Sequence, residues 1–121
     1  MEFQIDGAEK GLVAISNKMH LQAVKGKPRE LLFYYHAGER VLENLKEQET
    51  LRINQIEEYF QKSEDIDQVT HLEGQLSKSE ENLCVYAALT HNHREEAQTL
   101  FEIARARRHA KPKDYNYGEA A

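Results

Sequence analysis

The chain has 121 residues, a mass of 14.1 kDa and a net charge of −5, and 40% of its residues are hydrophobic while 31% are charged. This length and composition predict one helical domain over residues 1–110 and argue against a surface that binds nucleic acid throughout. No apolar segment approaches the roughly 20 residues that cross a bilayer, and the acidic start lacks a secretory signal pattern, so we expect a cytoplasmic protein with no membrane contact.

The distribution of helix-breaking residues predicts an all-α protein. No proline occurs between Pro28 and Pro112, and the only glycines between them are Gly38 and Gly74. Proline costs about 3 kcal/mol and glycine about 1 kcal/mol inside a helix, so this composition permits long helices. We therefore predict a small antiparallel helical bundle or an extended helical hairpin, with four or five helices at most. A short N-terminal arm and a flexible C-terminal tail would flank it.

The first predicted elements are the arm and a helix. Residues 1–7 alternate between apolar and polar types, but no second strand is available to pair with them, which favours an arm. Residues 8–25 place Leu12, Ile15 and Met19 on one helical stripe. Gly26 suits the cap that ends this helix, and Pro28 suits the first turn of the next.

The second predicted helix is long and covers residues 29–62. Its apolar positions keep helical phase up to residue 45 and again over 53–60, and nothing in the polar segment 46–50 would break a helix. This polar midsection is then either solvated or packed against a charged partner. A turn at 63–65 follows, where Asp65 and Gln68 have the spacing of a capping box.

Two further capping boxes predict breaks in the C-terminal half of the chain. They begin at Ser77 and Asn92, each followed three residues later by a glutamate. From Lys111 onward the composition predicts a flexible tail over 111–121.

The last predicted helix has small residues at a regular spacing. Ala97, Phe101 and Ala104 match the Ala-x-x-x-Phe-x-x-Ala spacing found in the second helix of tetratricopeptide hairpins. The pattern does not recur about 34 residues earlier, as such a repeat requires. We interpret these small residues as positions where two helices approach closely.

Motifs for catalysis and for metal binding are weak, so we expect no enzyme, no cofactor and no metal site. Cys84 lies in an apolar helical stretch and is expected to be buried and inert. The chain has no Gly-x-Ser-x-Gly elbow and no glycine-rich phosphate loop. His91 and His93 lack the i, i+4 spacing of a helical metal site and are expected to mark a polar turn.

A basic segment stands out near the C-terminus. Residues 105–113 contain five basic residues and no acid, and the rest of the chain then carries a net charge of −10. Arg105 and Arg108 share a helical face, whereas Arg107 lies on another. The segment either contacts an anionic partner or stabilises a helix C-terminus through the macrodipole.

Three consecutive aromatic residues, Phe33, Tyr34 and Tyr35, span about 200 degrees of a helix and cannot all face one core stripe. Either the first helix covers the second face, or another subunit packs there. Tyrosine is favoured at interfaces because its ring is apolar and its hydroxyl stays hydrated.

Taken together, these patterns predict a small non-enzymatic protein–protein interaction module: an adaptor, a chaperone or an inhibitor of a larger partner. We expect a homodimer. The residues expected to contact the partner are Tyr34, Tyr35, Arg105, Arg107 and Arg108. The alternative is a nucleic-acid-binding protein that uses the basic C-terminal helix.

Overall fold

The computed structural model describes the backbone of residues 2–120 and the side chains of residues 7–109. Over this range the chain forms three helices and no strand: α1 (Glu2–Val24), α2 (Pro28–Lys62) and α3 (Ile66–Ala120). Short turns at 25–27 and 63–65 make consecutive helices antiparallel neighbours. The predicted all-α antiparallel bundle is confirmed, and so is the single long second helix.

Three predicted helix boundaries are wrong. The N-terminal arm over 1–7 is replaced by the start of α1, because Gly7 alone disfavours a helix there by about 1 kcal/mol and no strand partner competes for the segment. The breaks at Ser77 and Asn92 are absent, since strong helix formers flank both residues and α3 continues through them. The predicted tail over 111–121 falls where the backbone of α3 continues to Ala120, outside the range of described side chains, and its flexibility stays a prediction.

Internal contacts divide the chain into two compact units. Unit 1 comprises Met1–Val41 and Asn92–Ala121, and unit 2 comprises Leu42–His91. Unit 1 therefore contains α1 and parts of α2 and α3, whereas unit 2 contains parts of α2 and α3 alone. The single helical domain expected over 1–110 stays a prediction.

Unit 1 has a core in which each helix contributes to one cluster. Its buried members are Met19, Ala23, Leu31, Ala97, Leu100 and Ala104. Full burial of a side chain such as Leu31 stabilises the fold by about 1.5–3 kcal/mol. The alanines confirm that the small residues of α3 are positions of close helix packing.

The turn between α1 and α2 depends on Gly26. The Gly26 amide donates to the Ala23 carbonyl and the Lys27 amide to the Gln22 carbonyl, at 3.0 and 2.9 Å, which is the hydrogen-bond pattern of a Schellman cap. Gly26 has a φ of 70°, a left-handed conformation that side chains rarely adopt. The predicted cap is therefore confirmed.

Unit 2 is a pair of antiparallel helices with a partly polar seam. Its buried apolar side chains are Leu42, Ile56, Leu72 and Tyr86. Glu49, Ser79 and Asn82 are buried beside them. The Glu49 carboxylate accepts hydrogen bonds from Arg52 and from the Asn82 amide group, the latter at 3.2 Å. The polar segment 46–50 thus contributes a buried charge with a basic partner on its own helix.

The same geometry explains why Cys84 is exposed, contrary to the prediction that it is buried. With two helices in unit 2, one face of α3 is covered, and that face carries Ser79, Asn82 and Tyr86 at helical spacing. Cys84 follows Asn82 by two residues, a rotation of about 200 degrees to the opposite side of the helix.

We predict that Gly26→Ala lowers the free energy of unfolding by roughly 1–3 kcal/mol, because a left-handed alanine is strained. The added Cβ would also lie 3.0 Å from the Arg108 backbone nitrogen. Gly74→Ala is the matched control: its Cβ meets no atom within 4 Å, and the change should stabilise α3 by about 0.5–1 kcal/mol. Urea denaturation measures the free energy of unfolding of both variants. Equal changes in Gly26→Ala and Gly74→Ala would contradict the left-handed turn assigned to Gly26.

We predict that Asn82→Ala destabilises the fold by about 1–3 kcal/mol, since it removes a donor from the buried Glu49 carboxylate. Asn54 is exposed on α2, so Asn54→Ala should change the free energy of unfolding by no more than about 0.5 kcal/mol. Thermal unfolding followed by circular dichroism compares the two variants. A harmless Asn82→Ala would show that Glu49 does not depend on this contact.

Candidate functional site

The predicted aromatic contacts are divided between core and surface. Tyr34 and Tyr35 are half-buried and pack against the core cluster of unit 1. Phe33, which was not among the predicted contacts, is 62% exposed. Its ring meets that of Tyr34 edge to face, with centroids 5.3 Å apart. The side chain that is open to a partner is therefore Phe33, supported by Tyr34.

Tyr35 is further held by a histidine of α3. The His93 ring stacks on the Tyr35 ring with centroids 4.9 Å apart and an interplanar angle of 17°. Its Nε2 atom lies 2.8 Å from the Tyr35 carbonyl oxygen, where a ring N–H donates to that carbonyl. The absence of a side chain at Gly38 leaves room for the ring, which occupies the position where a Cβ would stand. His93 therefore fastens α3 to α2 within unit 1.

One turn of α2 beside this contact holds a carboxylate with a perturbed pKa. His36 Nδ1 lies 2.7 Å from Glu39 Oε1. This hydrogen bond is the main cause that lowers the pKa of Glu39, and it outweighs the opposing effect of burial. Because the pKa is lower in the folded state, the stabilisation that Glu39 provides is lost as the pH falls through the folded-state pKa.

A serine, a histidine and a glutamate also meet between α1 and α3. The Ser16 hydroxyl donates to the Glu96 carboxylate, with distances of 2.9 and 3.1 Å to its two oxygens. His20 Nε2 lies 3.3 Å from the same carboxylate. A nucleophilic serine needs a base such as histidine at its own hydroxyl. Here both groups instead converge on Glu96, an arrangement that joins the two helices.

The histidines expected to mark a turn lie inside a continuous helix. His91 and His93 both belong to α3, so the predicted polar turn is wrong. Among the residues with described side chains, no group of three or more histidine, cysteine or acidic side chains is placed to hold a metal ion.

The predicted arginines of α3 meet the turn between α1 and α2. A Cβ built on Gly26 would lie 3.0 Å from the Arg108 nitrogen and 3.2 Å from the Arg107 Cβ, so the turn rests on the α3 backbone. This contact brings together two groups of exposed cations. We define the basic surface as Lys25, Lys27, Arg29, Arg105, Arg107 and Arg108.

A shallow depression of about 320 Å³ lies on the basic surface. Its lining is Gly26, Lys27, Pro28, Arg29, Glu30 and Arg108. The α2 N-terminus opens beside it, and free backbone N–H groups at such a terminus favour negative charge. The depression therefore joins cations from two chain segments at the positive end of a helix dipole.

Helix stabilisation does not account for all of these cations. Lys25 follows the C-terminus of α1, where a positive charge is favourable. Lys27 and Arg29 instead flank the first residue of α2, where the macrodipole disfavours positive charge. Within the described part of the chain, none of the six cations of the basic surface forms an ion pair. Their positive charge is open to a partner.

Sequence reasoning missed half of the basic surface. Lys25, Lys27 and Arg29 flank Gly26 and Pro28, two residues whose pattern in the sequence indicates only a helix stop. The signal was the alternation of cations with turn residues. Its link to the α3 arginines, about eighty positions away, has no signature in the sequence.

Comparison with known proteins adds no functional assignment. The chain matches no protein-family model, and no significant match was found among curated proteins or solved structures. Within the described residues, no helix has both the length and the apolar composition needed to cross a membrane.

We predict that His36→Ala raises the pKa of Glu39 towards its ordinary value, because the hydrogen bond that favours the carboxylate is removed. A pH titration of the Glu39 side-chain carboxyl carbon by NMR measures this. His71→Ala, a change at an exposed histidine of unit 2, should leave the Glu39 curve unmoved. A curve that is identical in wild type and His36→Ala would refute the assigned cause.

Proposed function

We propose that this chain is a small non-enzymatic protein–protein interaction module that binds an acidic partner through the basic surface. The observation that carries the proposal is the packing of Gly26 on the α3 backbone. This packing brings Lys27 and Arg29 together with Arg108 around one depression, in a basic surface whose six exposed cations form no ion pair within the described residues. The roles of adaptor, chaperone and inhibitor all require a surface that binds a partner. They differ in what the partner does.

An acidic protein fits the charge distribution better than a nucleic acid does. Outside the basic surface the chain has ten basic and twenty-one acidic residues, a net charge of −11. A nucleic acid that extended past the six cations would meet this negative remainder. A short acidic protein segment needs to match the basic surface alone.

Phe33 supplies an apolar anchor next to these charges. It follows Arg29 by four residues on α2, so both side chains lie on one helical face a single turn apart. Interfaces draw much of their affinity from a few aromatic residues and arginines, surrounded by weaker contacts. We propose that the partner covers Phe33 and Arg29 together, with Tyr34 supporting the Phe33 ring.

The test compares two variants of equal net charge. In the first, Arg105, Arg107 and Arg108 are each changed to Glu, which reverses half of the basic surface. In the control, the exposed Lys10, Lys18 and Arg40 are changed to Glu. Tagged wild type and both variants are used to capture partners from native extracts with and without nuclease, followed by mass spectrometry. We expect wild type and control to recover the same acidic protein, which the first variant loses.

Two results would contradict the proposal. An acidic partner retained by the first variant would place the contact elsewhere on the chain. Partners that disappear on nuclease treatment, with binding that weakens steeply as salt rises, would favour the nucleic-acid alternative. Phe33→Ala measures the apolar contribution to binding apart from the electrostatic one. It should weaken binding at high salt as much as at low salt.

A further inference from the structure

The charge of unit 2 is opposite to that of the basic surface. Unit 2 contains eleven acidic and four basic residues, a net charge of −7. Ten of the acids are exposed, and none of these ten forms an ion pair within the described residues. We define the acidic surface as these ten, which lie on the exposed sides of α2 and α3 and in the turn between them: Glu43, Glu47, Glu57, Glu58, Glu64, Asp65, Asp67, Glu73, Glu80 and Glu81.

We infer that the acidic partner of the basic surface is the acidic surface of a second copy of this chain. The inference rests on the proposed function and names its partner. Each copy carries both surfaces, so two copies satisfy each other's charges in a reciprocal dimer with two equivalent contacts. Opposite potentials that face each other across an interface accelerate association and select against wrong partners. The two surfaces are also present in equal numbers, because each chain carries one of each.

Charge selects this pairing over the contact of two like surfaces. Two units that each carry a net charge of −7 repel when they meet face to face, and like charges across an interface are costly. Two basic surfaces repel for the same reason. The reciprocal pairing of a basic with an acidic surface avoids both repulsions. With two-fold symmetry the assembly is complete after two copies.

The experiment cancels the charge of each surface in a separate variant. Variant A carries Arg105→Glu, Arg107→Glu and Arg108→Glu; variant B carries Glu57→Lys, Glu58→Lys, Glu80→Lys and Glu81→Lys. Full-length wild type, A, B and an equimolar A–B mixture are examined by sedimentation velocity. The salt concentration is raised from about 0.01 M to about 1 M, which shortens the Debye length from about 30 to about 3 Å.

We expect wild type to dimerise at low salt and to dissociate as the salt rises. In A the basic surface keeps three cations beside three new acids and has no net charge, and in B the net charge of the acidic surface falls from −10 to −2. Each should therefore dimerise roughly tenfold or more weakly than wild type, because several exposed ion pairs are lost together. In the mixture one contact is intact, because the unchanged acidic surface of A meets the unchanged basic surface of B. The A–B heterodimer should form, and its mass should show one copy of each.

Each other outcome overturns the inference. Wild type that stays monomeric at low salt excludes the second copy, and the proposed function then survives if the arginine-dependent acidic partner is still captured. Dimers that persist in A and in B place self-association on another surface. A mixture that stays monomeric, while circular dichroism shows both variants folded, excludes the pairing of these two surfaces. The Lys10, Lys18 and Arg40 reversal is the control, and it should dimerise as wild type does.

Discussion

The close approach of Gly26 to the backbone of Arg107 and Arg108 is the constraint on which the organisation of unit 1 depends. A left-handed residue without a side chain ends α1, and its exposed backbone allows the turn to rest on α3. The helix bundle then brings Met19, Ala23 and Ala104 into one buried cluster. The same contact brings Lys27 and Arg29 to the arginines of α3. Core packing and surface charge therefore share one structural origin.

Local signals in the sequence predicted much of the fold. Gly26 and Pro28 marked the first turn because each residue type favours a specific backbone conformation there. The long α2 followed from helical phase and from the lack of breaking residues. Asp65 was placed as a cap, and its carboxylate accepts the Asp67 amide at 3.2 Å. The spacing of Ala97 and Ala104 correctly indicated close packing.

The features that the sequence could not predict depend on contacts between distant residues. Glu49 belongs to a polar run, and its burial results from Asn82 lying opposite on α3. Cys84 belongs to an apolar run, and its exposure results from there being two helices in unit 2. The position of Lys27 beside Arg108 also depends on a contact between distant residues. Sequence periodicity indicates which residues share a helical face, but not which helix covers that face.

We propose that the turn 25–29 and the α3 segment 105–108 form one anion-binding surface. Backbone amide shifts of the wild-type protein, measured by NMR during titration with polyglutamate, test it most directly. We expect amides of both segments to shift together with one apparent affinity, and added salt to suppress both responses. Shifts in one segment alone, or shifts spread evenly over the described residues, would contradict it.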